Sequence, residues 1–380
     1  MDRNPVSVVL VGTGGYASFY IKHMLNGEQR DVKLVATVDP TTDGIPDSGI
    51  PHWSSLSDCL SEGDAELVII SSPPMFHEAQ IREALAAGRH VLCEKPLAPT
   101  PSPLADLIAA RDRAGLQVGV GFQWSFSRTI LQLKQDILDG VFGKPLSAQA
   151  MVLWPRSFEY YGRNSWAGRV DDDQGNPIND SVLFNATAHH FHNLTFLLGP
   201  RIDRGTMVRD IRAETFRAYD IENYDTVALR GVTESGVPFG YYASHAGEIN
   251  HSPVFRIEFE NAVVGMEEGE NAWAIMAHFA DGSQKVYGNP DKERHSKIAV
   301  MAAAARSEQA VPCTLETVAP HLHAVQTVRD VAETRQFPPA MIQRDEKHRW
   351  VAGLDADMRR CFEEKALPSE LGCDWAGQTA

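Results

Sequence analysis

The sequence predicts an α/β protein, with a parallel sheet and crossover helices in its first third and β-hairpins later. Short apolar, β-branched runs alternate with helical patterns over residues 6–122, and a glycine-rich turn follows the first run. Apolar and polar residues alternate around glycine-containing turns between residues 225 and 267. Strands buried on both faces appear as continuous apolar runs, and strand–helix alternation implies parallel pairing with right-handed crossovers.

Each element follows from its local pattern. The apolar runs predict strands, the Ala-, Glu- and Leu-rich stretches predict helices, and alternation around a turn predicts a hairpin. The predicted strands span 6–11, 32–38, 65–71, 89–94 and 116–122, with helices at about 16–25, 75–87 and 103–114. Hairpins are predicted at 225–246 and 253–267, and a helix at 314–333.

Composition limits the class of protein. The chain has 380 residues, of which 43% are hydrophobic and 22% charged, so an ordinary globular protein of about two domains is expected. Its 35 basic and 50 acidic residues give a net charge of -15, which argues against a nucleic-acid partner. The five widely spaced cysteines include no C-x-x-C pair, so neither a disulfide framework nor a zinc knuckle is predicted.

The chain shows no targeting or membrane signal. The segment MDRNPVSVVLVG has too few apolar residues before its first glycines for a signal peptide. No apolar run approaches the roughly 18 residues of a membrane span. The expected location is therefore the reducing cytoplasm, with no membrane partner.

The glycine-rich turn matches a dinucleotide-binding motif. Gly12, Gly14 and Ala17 fit G-x-G-x-x-A between a buried strand and a helix, and Asp39 ends the second strand 22 residues after Ala17. Glycines let the backbone approach a pyrophosphate, the helix N-terminus attracts it, and the acidic residue binds ribose hydroxyls. Asp39 would repel a 2′-phosphate, so NAD is favoured over NADP. The alternative is a plain glycine turn with Asp39 in a solvated loop.

Further motifs resemble one enzyme family. The stretch SSPPMFH (71–77) follows the third strand, and the fourth ends in VLCEKPLA with Glu94, Lys95 and Pro96. Later come FGKP (142–145), SWAGR (165–169) and an apolar helix ending FLLG at 199. Together they resemble the Gfo/Idh/MocA family of nicotinamide-dependent oxidoreductases, which includes glucose–fructose oxidoreductase and inositol dehydrogenase.

The resemblance implies a domain plan. An N-terminal Rossmann domain (1–124) precedes an α/β domain (125–335) with a large open, mostly antiparallel sheet. In the family this sheet packs against another subunit, so a homodimer or homotetramer is expected. Residues 336–380 form a C-terminal extension, expected to be helical and packed on the rest.

The stretch NATAHHFHN, residues 185–193, is aligned by the resemblance with the catalytic helix. If it is one helix, Asn185, His189 and His192 share a face. The family's D-x-x-x-H motif falls on Asn185 and His189, so the histidine matches and the aspartate is replaced by asparagine. His189 is the predicted base, and Asn185 with His192 orients the reacting groups. Lys95, at the carboxyl end of a parallel strand, is predicted to polarise the substrate oxygen.

The sequence leaves two alternatives for some of these residues. Asp180 is either a relocated carboxylate in the site or, with Ser181, a cap of the helix N-terminus. His190 either packs internally or meets a neighbouring subunit. No metal is predicted, because a site needs three or four ligands and nothing obvious completes a set with His189 and His192.

Two sets of site residues are predicted. The cofactor set is Gly12, Thr13, Gly14, Gly15, Tyr16, Ala17, Asp39, Ser72, Pro73, His77, Glu94, Lys95 and Gln123. The substrate set is Lys95, Trp166, Arg169, Asp180, Asn185, His189 and His192, with Trp166 as a platform for a sugar ring and Arg169 as an anchor for a carboxylate.

The predicted activity is NAD-dependent transfer of a hydride from a secondary alcohol of a sugar, sugar derivative or cyclitol. One alternative is an NAD-dependent glycosidase or lyase that oxidises carbon 3 transiently. The other is a non-catalytic NAD-binding regulator on the same fold.

Overall fold

The computed structural model describes residues 4–27, 29–41, 49–269 and 272–377, so the predicted outer limits at 1 and 380 lie outside the described part. The chain forms two compact units. Unit 1 comprises residues 1–127 and 293–318, and unit 2 comprises 128–292 and 319–380. Residues 293–318, assigned from the sequence to the second domain, belong to unit 1, where Lys297 pairs with Glu94.

The elements are numbered in chain order. The first are β1 (Val6–Val11), α1 (Ala17–Leu25), β2 (Val32–Val38), β3 (His52–Trp53), α2 (Leu56–Glu62), β4 (Leu67–Ile70), α3 (Pro74–Ala86), β5 (His90–Cys93), α4 (Leu104–Ala114) and β6 (Val118–Val120). Next come α5 (Arg128–Leu138), β7 (Pro145–Leu153), α6 (Phe158–Gly162), α7 (Ala188–Leu197), β8 (Val208–Arg217), β9 (Thr226–Thr233), β10 (Pro238–Ser244), β11 (Val254–Phe259), β12 (Ala262–Met266), β13 (Ile275–Phe279) and β14 (Gln284–Gly288). The last are α8 (Ser296–Ala305), α9 (Leu315–Val331), β15 (Thr334–Gln336), β16 (Ile342–Arg344), β17 (Arg349–Val351) and α10 (Leu354–Glu364). Helices in the described ranges are each too short or too polar to cross a bilayer.

Unit 1 contains a doubly wound parallel sheet. Its strand order is β3-β2-β1-β4-β5-β6, and every neighbouring pair is parallel. This is the order of dinucleotide-binding Rossmann domains, in which ligands bind beyond the carboxyl ends of the strands. The sequence prediction of a parallel α/β domain is confirmed. It missed β3 and α2, because a two-residue strand and a short polar helix leave almost no periodic pattern.

Unit 2 is built on one large mixed sheet. Its order is β14-β13-β12-β11-β7-β10-β9-β8-β15, and the pairs are antiparallel except β7–β10 and β8–β15. The predicted hairpins are present as β9–β10 and β11–β12. The prediction of a mostly antiparallel second sheet is therefore confirmed.

The two faces of this sheet have different cover. Successive residues of a strand point to opposite faces, and Tyr241 and Tyr242 illustrate this. Phe191 of α7 packs against Tyr241 at 5.3 Å between ring centroids. On the opposite face Phe362 of α10 packs against Tyr242 at 6.4 Å. Helix α7, which contains the candidate catalytic histidine, thus packs on one face of this sheet.

The C-terminal segment, residues 337–376, covers part of the second face. Its apolar side chains form a buried cluster with residues of β7, β8, β9 and β10. The segment contributes Phe337, Val351, Leu354, Met358, Cys361, Phe362, Leu367, Cys373, Trp375 and Ala376, and the sheet contributes Met151, Leu153, Phe216, Ala228 and Tyr242. Residues of the same chain therefore bury apolar surface on the face where the resemblance implied a second subunit. The predicted homodimer or homotetramer remains a prediction.

Candidate active site

The glycine turn after β1 has the shape that a dinucleotide requires. Gly12 has φ of +86°, and a Cβ there would lie 2.8 Å from the Ser71 carbonyl carbon, so only glycine fits between the two loops. A Cβ built on Gly14 would meet no atom within 4 Å, which leaves open space in front of the turn where α1 begins. Open space and a helix N-terminus together fit a pyrophosphate group. The turn therefore fits the predicted nicotinamide dinucleotide.

Asp39 lies against this turn at the end of β2. Its Oδ2 accepts hydrogen bonds from the Thr13 backbone N–H at 2.9 Å and from the Thr13 hydroxyl at 3.1 Å, and its Oδ1 accepts from Thr41. Partial burial would raise the pKa of this carboxyl, but the hydrogen bonds from Thr41 and Thr13 outweigh it and the pKa is lowered. The carboxylate is thus charged at neutral pH and held beside the glycine turn, where the sequence placed it.

The charge of Asp39 should set the preference for NAD over NADP. We expect Asp39→Asn to lower the ratio of NADP to NAD dissociation constants by about tenfold or more, a difference of about 1.4 kcal/mol, because the repulsion of a 2′-phosphate disappears. Fluorescence titration with NADH and NADPH measures the ratio. Asp64→Asn, at an exposed carboxylate of the same unit, is the matched control. An unchanged ratio in Asp39→Asn would remove Asp39 from cofactor selection.

The loops after β4 and β5 are joined by His77. In this buried ring Nε2 lies 2.8 Å from the Ser72 carbonyl oxygen and Nδ1 lies 2.9 Å from the Pro96 carbonyl oxygen, and the neutral ring donates to one of the two. Burial lowers the pKa of the ring, although both carbonyls oppose that shift. His77 therefore joins the loop after β4, which contains Ser72, to the loop after β5, which contains Pro96. Pro73 immediately precedes α3.

Tyr16 and Gln123 extend the cofactor set to the far end of the unit 1 sheet. The Tyr16 hydroxyl donates to Gln123 Oε1 at 3.2 Å, although the two residues are 107 positions apart. Gln123 begins a short 3₁₀ helix just after β6. The structure thus brings the predicted cofactor residues of unit 1 together at the carboxyl ends of its strands.

Glu94 is the centre of a buried charged network. Its Oε1 accepts hydrogen bonds from the Tyr20 hydroxyl and from Lys297 Nζ, and its Oε2 accepts from the Lys95 backbone N–H at 3.2 Å. Lys297 is 0% exposed. Burial lowers the pKa of its ammonium, and the charge of Glu94 opposes that change. The network fixes the turn that carries the partly buried Lys95 side chain.

Lys297 was not found from the sequence. A signal was available, since SKIAVMAAAA contains one lysine in an otherwise apolar helix. Such a lysine must either leave the core or find a buried carboxylate. Nothing local indicated which carboxylate, because Glu94 lies 203 positions away.

Removing the ammonium should destabilise the protein. We expect Lys297→Met to lower the free energy of unfolding by about 3–5 kcal/mol, because it leaves the buried Glu94 carboxylate uncompensated. Urea denaturation at pH 7.5 measures the change. Lys22→Met, at an exposed lysine on α1, should have little effect, and adding Glu94→Gln to Lys297→Met should recover part of the loss. Equal stability of Lys297→Met and wild type would contradict the assignment.

In unit 2, the histidine-rich stretch is not one continuous helix. A π-helical turn, Val182–Ala186, contains Asn185, and α7 begins after a break at Thr187. The Thr187 hydroxyl donates to the Val182 carbonyl at 2.7 Å, a local bond that competes with regular helix. The simple helical spacing between Asn185 and His189 is therefore corrected, whereas His189 and His192 both lie on α7.

Asp180 and Ser181 have separate functions. Ser181 Oγ accepts from the Phe184 N–H at 3.2 Å and caps the turn. Asp180 is 3% exposed and accepts from the Asn185 side-chain amide at 2.9 Å and from the Gly168 N–H at 2.8 Å. Asp180, five positions before Asn185, thus orients the Asn185 amide, and its part in the site as a relocated carboxylate stays a prediction.

The three histidines differ in environment. His189 is partly exposed, whereas His190 and His192 are buried. His190 packs edge-to-face against Trp154 at 5.1 Å, and burial lowers its pKa to about 3. Burial also lowers the pKa of His192, helped by His321 and Lys134. His190 packs internally, and the burial of His192 favours a supporting role over direct contact with a substrate.

Trp166 and Arg169 precede this stretch. Arg169 forms ion pairs with Asp173 at 2.8 Å and Glu222 at 3.4 Å. The guanidinium of Arg163 lies 5.1 Å from the Trp166 ring. Trp166 is therefore next to a cation, while the charge of Arg169 is already compensated within the protein.

In the part of the chain that the structure describes, neither a metal cluster nor the cavity on the sheet of unit 2 adds to the predicted site. Across the described ranges, His, Cys, Asp and Glu side chains do not assemble in groups of three or more that could hold a metal. A cavity of about 270 Å³ opens on the sheet of unit 2, between β7, β8, β9, β10 and Lys365. None of the residues predicted for the site lines it, so we assign it no part in the chemistry.

Comparison with known proteins agrees with these motifs. A family model described as an oxidoreductase family with an NAD-binding Rossmann fold, GFO_IDH_MocA, matches residues 6–122. Inositol 2-dehydrogenase of Arthrobacter sp. (strain FB24) is 30% identical over 266 residues, 68% of this chain and 73% of that protein. An uncharacterized oxidoreductase of Schizosaccharomyces pombe is 25% identical over 198 residues, 49% of this chain and 53% of that protein. The chain spans about half the length of the first curated relatives that it matches.

Solved structures share the fold. The WlbA dehydrogenase from Bordetella pertussis, in complex with NADH and UDP-GlcNAcA, superposes with a TM-score of 0.70 at 21% identity, covering 86% of this chain and 96% of that chain. An aldose-aldose oxidoreductase from Caulobacter crescentus, complexed with glycerol, gives a TM-score of 0.69 at 17% identity and covers 86% and 97%. At these identities the likeness shows the fold alone.

Proposed function

Because this chain belongs to the Gfo/Idh/MocA family of oxidoreductases, we propose that it is an NAD-dependent dehydrogenase. Its substrate would be a secondary alcohol of a sugar, sugar derivative or cyclitol. The observation that supports this best is the combination of an open glycine turn beside Asp39 with Lys95 on a fixed turn after β5. Relatives named inositol 2-dehydrogenase and a structural neighbour with a bound sugar nucleotide favour a polyhydroxylated substrate.

The proposed cofactor site is formed by unit 1. Gly12 and Gly14 would leave room for the pyrophosphate, the start of α1 would attract it, and Asp39 would bind ribose hydroxyls. Tyr16, Gln123 and the loop fixed by His77 would complete the site. Bound NAD supplies the capacity to accept a hydride from the substrate carbon.

The proposed chemistry on the alcohol belongs to two side chains. His189 takes the hydroxyl proton, because a partly exposed neutral imidazole has a ring nitrogen that can accept a proton as a general base. Lys95 hydrogen-bonds the same oxygen and stabilises the negative charge that develops on it. Both would act on one hydroxyl, as the resemblance implies.

Asn185 replaces the aspartate of the family motif, and its contact with Asp180 gives it a defined role. The buried carboxylate accepts from the amide N–H of Asn185, which fixes the orientation of the amide. Asn185 would then hold the imidazole or a substrate hydroxyl in place. The negative charge of Asp180 would then act on the reacting groups through Asn185, whereas in the family pattern the carboxylate itself occupies the position of Asn185.

The test is a substrate panel with a direct redox readout. The purified protein is mixed with NAD and with sugars, uronic acids and inositols, and NADH is followed by its absorbance, while mass spectrometry identifies any cofactor retained on purification. We expect NADH to form with at least one class. Consumption of a glycoside without net NADH would instead indicate the glycosidase cycle, and NAD binding without turnover of any compound would favour a regulator.

A further inference from the structure

We propose that Arg156 binds an anionic group of the substrate, a carboxylate or a phosphate, so that the sugar oxidised by this enzyme is an acidic one. The proposal rests on the proposed function, since it names the substrate class of the same site. Arg156 lies near the end of β7 and is not among the residues predicted from the sequence.

Arg156 has a fixed backbone. It follows the last residue of β7 by three positions, its N–H donates to the His245 carbonyl at 3.1 Å, and its carbonyl accepts from the Tyr219 hydroxyl. The neighbouring strand β10 leads directly into His245. The side chain therefore starts from a hydrogen-bonded backbone at the end of the sheet.

Arg156 belongs to what we call the arginine–aromatic patch, which consists of Trp154, Arg156, Tyr160, Arg163 and Trp166. The Arg156 guanidinium lies 4.7 Å from the Tyr160 ring centre and 5.7 Å from that of Trp154. The guanidinium of Arg163 also lies over the Tyr160 ring, 3.9 Å from its centre. Aromatic faces hold guanidinium groups by cation–π attraction and offer apolar surface to a sugar ring.

The patch adjoins the candidate catalytic residues of unit 2. Arg163 pairs with Asp180 at 3.3 Å, and Asp180 accepts from Asn185 at 2.9 Å. Trp154 packs on His190, the residue next to His189. The patch and the proposed reacting groups are thus joined by direct contacts within one compact unit.

The two arginines of the patch differ in their charge balance. The charge of Arg163 is balanced by Asp180. Arg156 forms no ion pair with any residue that the structure describes, and its buried Nε has no hydrogen-bond partner among them. Burial first, and then the charges of Arg156 and Arg163, hold the pKa of His245 well below its usual range. A planar guanidinium without a counter-ion binds carboxylates and phosphates with paired hydrogen bonds.

Arg169, selected from the sequence as the carboxylate anchor, is less suited to that role. Asp173 and Glu222 already lie within ion-pair distance of its guanidinium. A substrate carboxylate would have to displace them. Arg156 requires no such exchange.

Calorimetric titration of the NAD-loaded protein with matched probes tests the proposal. The pairs are D-glucuronate with D-glucose, D-galacturonate with D-galactose, and D-glucose 6-phosphate with D-glucose. The first two pairs test binding of a carboxylate, and the third tests binding of a phosphate. We expect the acidic member of at least one pair to bind at least tenfold more tightly, with an affinity that falls as salt is raised. Arg156→Gln should abolish this preference, Arg156→Lys should keep part of it, and Arg209→Gln, at an exposed surface arginine, should leave it unchanged.

Several results would overturn the proposal. These are equal binding of acidic and neutral partners, no binding of any acidic probe, or a preference that survives Arg156→Gln or disappears only in Arg169→Gln. The salt dependence in the wild-type protein keeps the test decisive if Arg156→Gln does not fold. Acidic probes that bind through Arg156 without forming NADH would reject the dehydrogenase and leave this proposal intact. If NADH forms from neutral sugars with KM values equal to those of the acids, the dehydrogenase proposal stands and the role of Arg156 is rejected.

Discussion

Replacing Lys95 by methionine is expected to lower kcat by about 10²–10⁴-fold, the range typical for loss of a positioned proton-transfer or charge-stabilising group. Methionine keeps most of the side-chain volume but has no ammonium to stabilise the developing alkoxide. The turn itself is held by Glu94, which binds the Lys95 backbone N–H rather than its side chain. NADH binding should therefore change by less than about threefold, well under 1 kcal/mol.

The measurement is steady-state turnover of the best substrate together with NADH titration. Lys33→Met, at an exposed lysine on β2, is the matched control and should keep wild-type kcat. Wild-type turnover in Lys95→Met would reject the assignment. Loss of NADH binding in step with kcat would place Lys95 in the cofactor site alone.

Replacing His189 by asparagine should reduce kcat by a similar factor of about 10²–10⁴ and should also change its pH dependence. A general base is active when deprotonated, so the wild-type rate should rise with pH through the pKa of the base and then level off. Without the imidazole, that rise should disappear. A substitution that only disturbed packing would lower the rate at every pH and leave the profile unchanged in shape.

The pH–rate profile of kcat, measured for His189→Asn and wild type, checks this result. His323→Asn, at an exposed histidine of α9, should retain both rate and profile. The double variant with Lys95→Met should lose less than the product of the single losses, because groups that act on one oxygen are not additive. A wild-type profile in His189→Asn would exclude His189 as the base.

Local patterns predicted the first unit well. The bounds of β1 and β2 agree with the predicted 6–11 and 32–38, because continuous β-branched runs have few other stable structures. The glycine turn was recognisable because position 12 has a positive φ and no room for a Cβ, so that only glycine fits there. β3 was missed because its two residues, beginning at His52, are ordered by pairing with β2 rather than by their own sequence.

The candidate site was harder to predict, and the histidine-rich stretch shows why. Sequence spacing placed His190 off the face of His189, and in the structure His190 is buried against Trp154 whereas His189 is partly exposed. It did not show the break at Thr187, which depends on a hydroxyl bond to Val182. Nor did it decide between the two roles of Asp180, because the choice depends on the folded positions of Gly168 and Asn185.

The sequence by itself determined the family, the parallel sheet of unit 1 and the position of the glycine turn, because those signals lie within a few consecutive residues. The tertiary structure alone decided which charges are compensated. Lys297 meets Glu94, Arg169 meets Glu222, and Arg156 is left among aromatic rings. These outcomes depend on which distant segments pack together and how much water they exclude, because the energy of a charge depends on its burial and its partner.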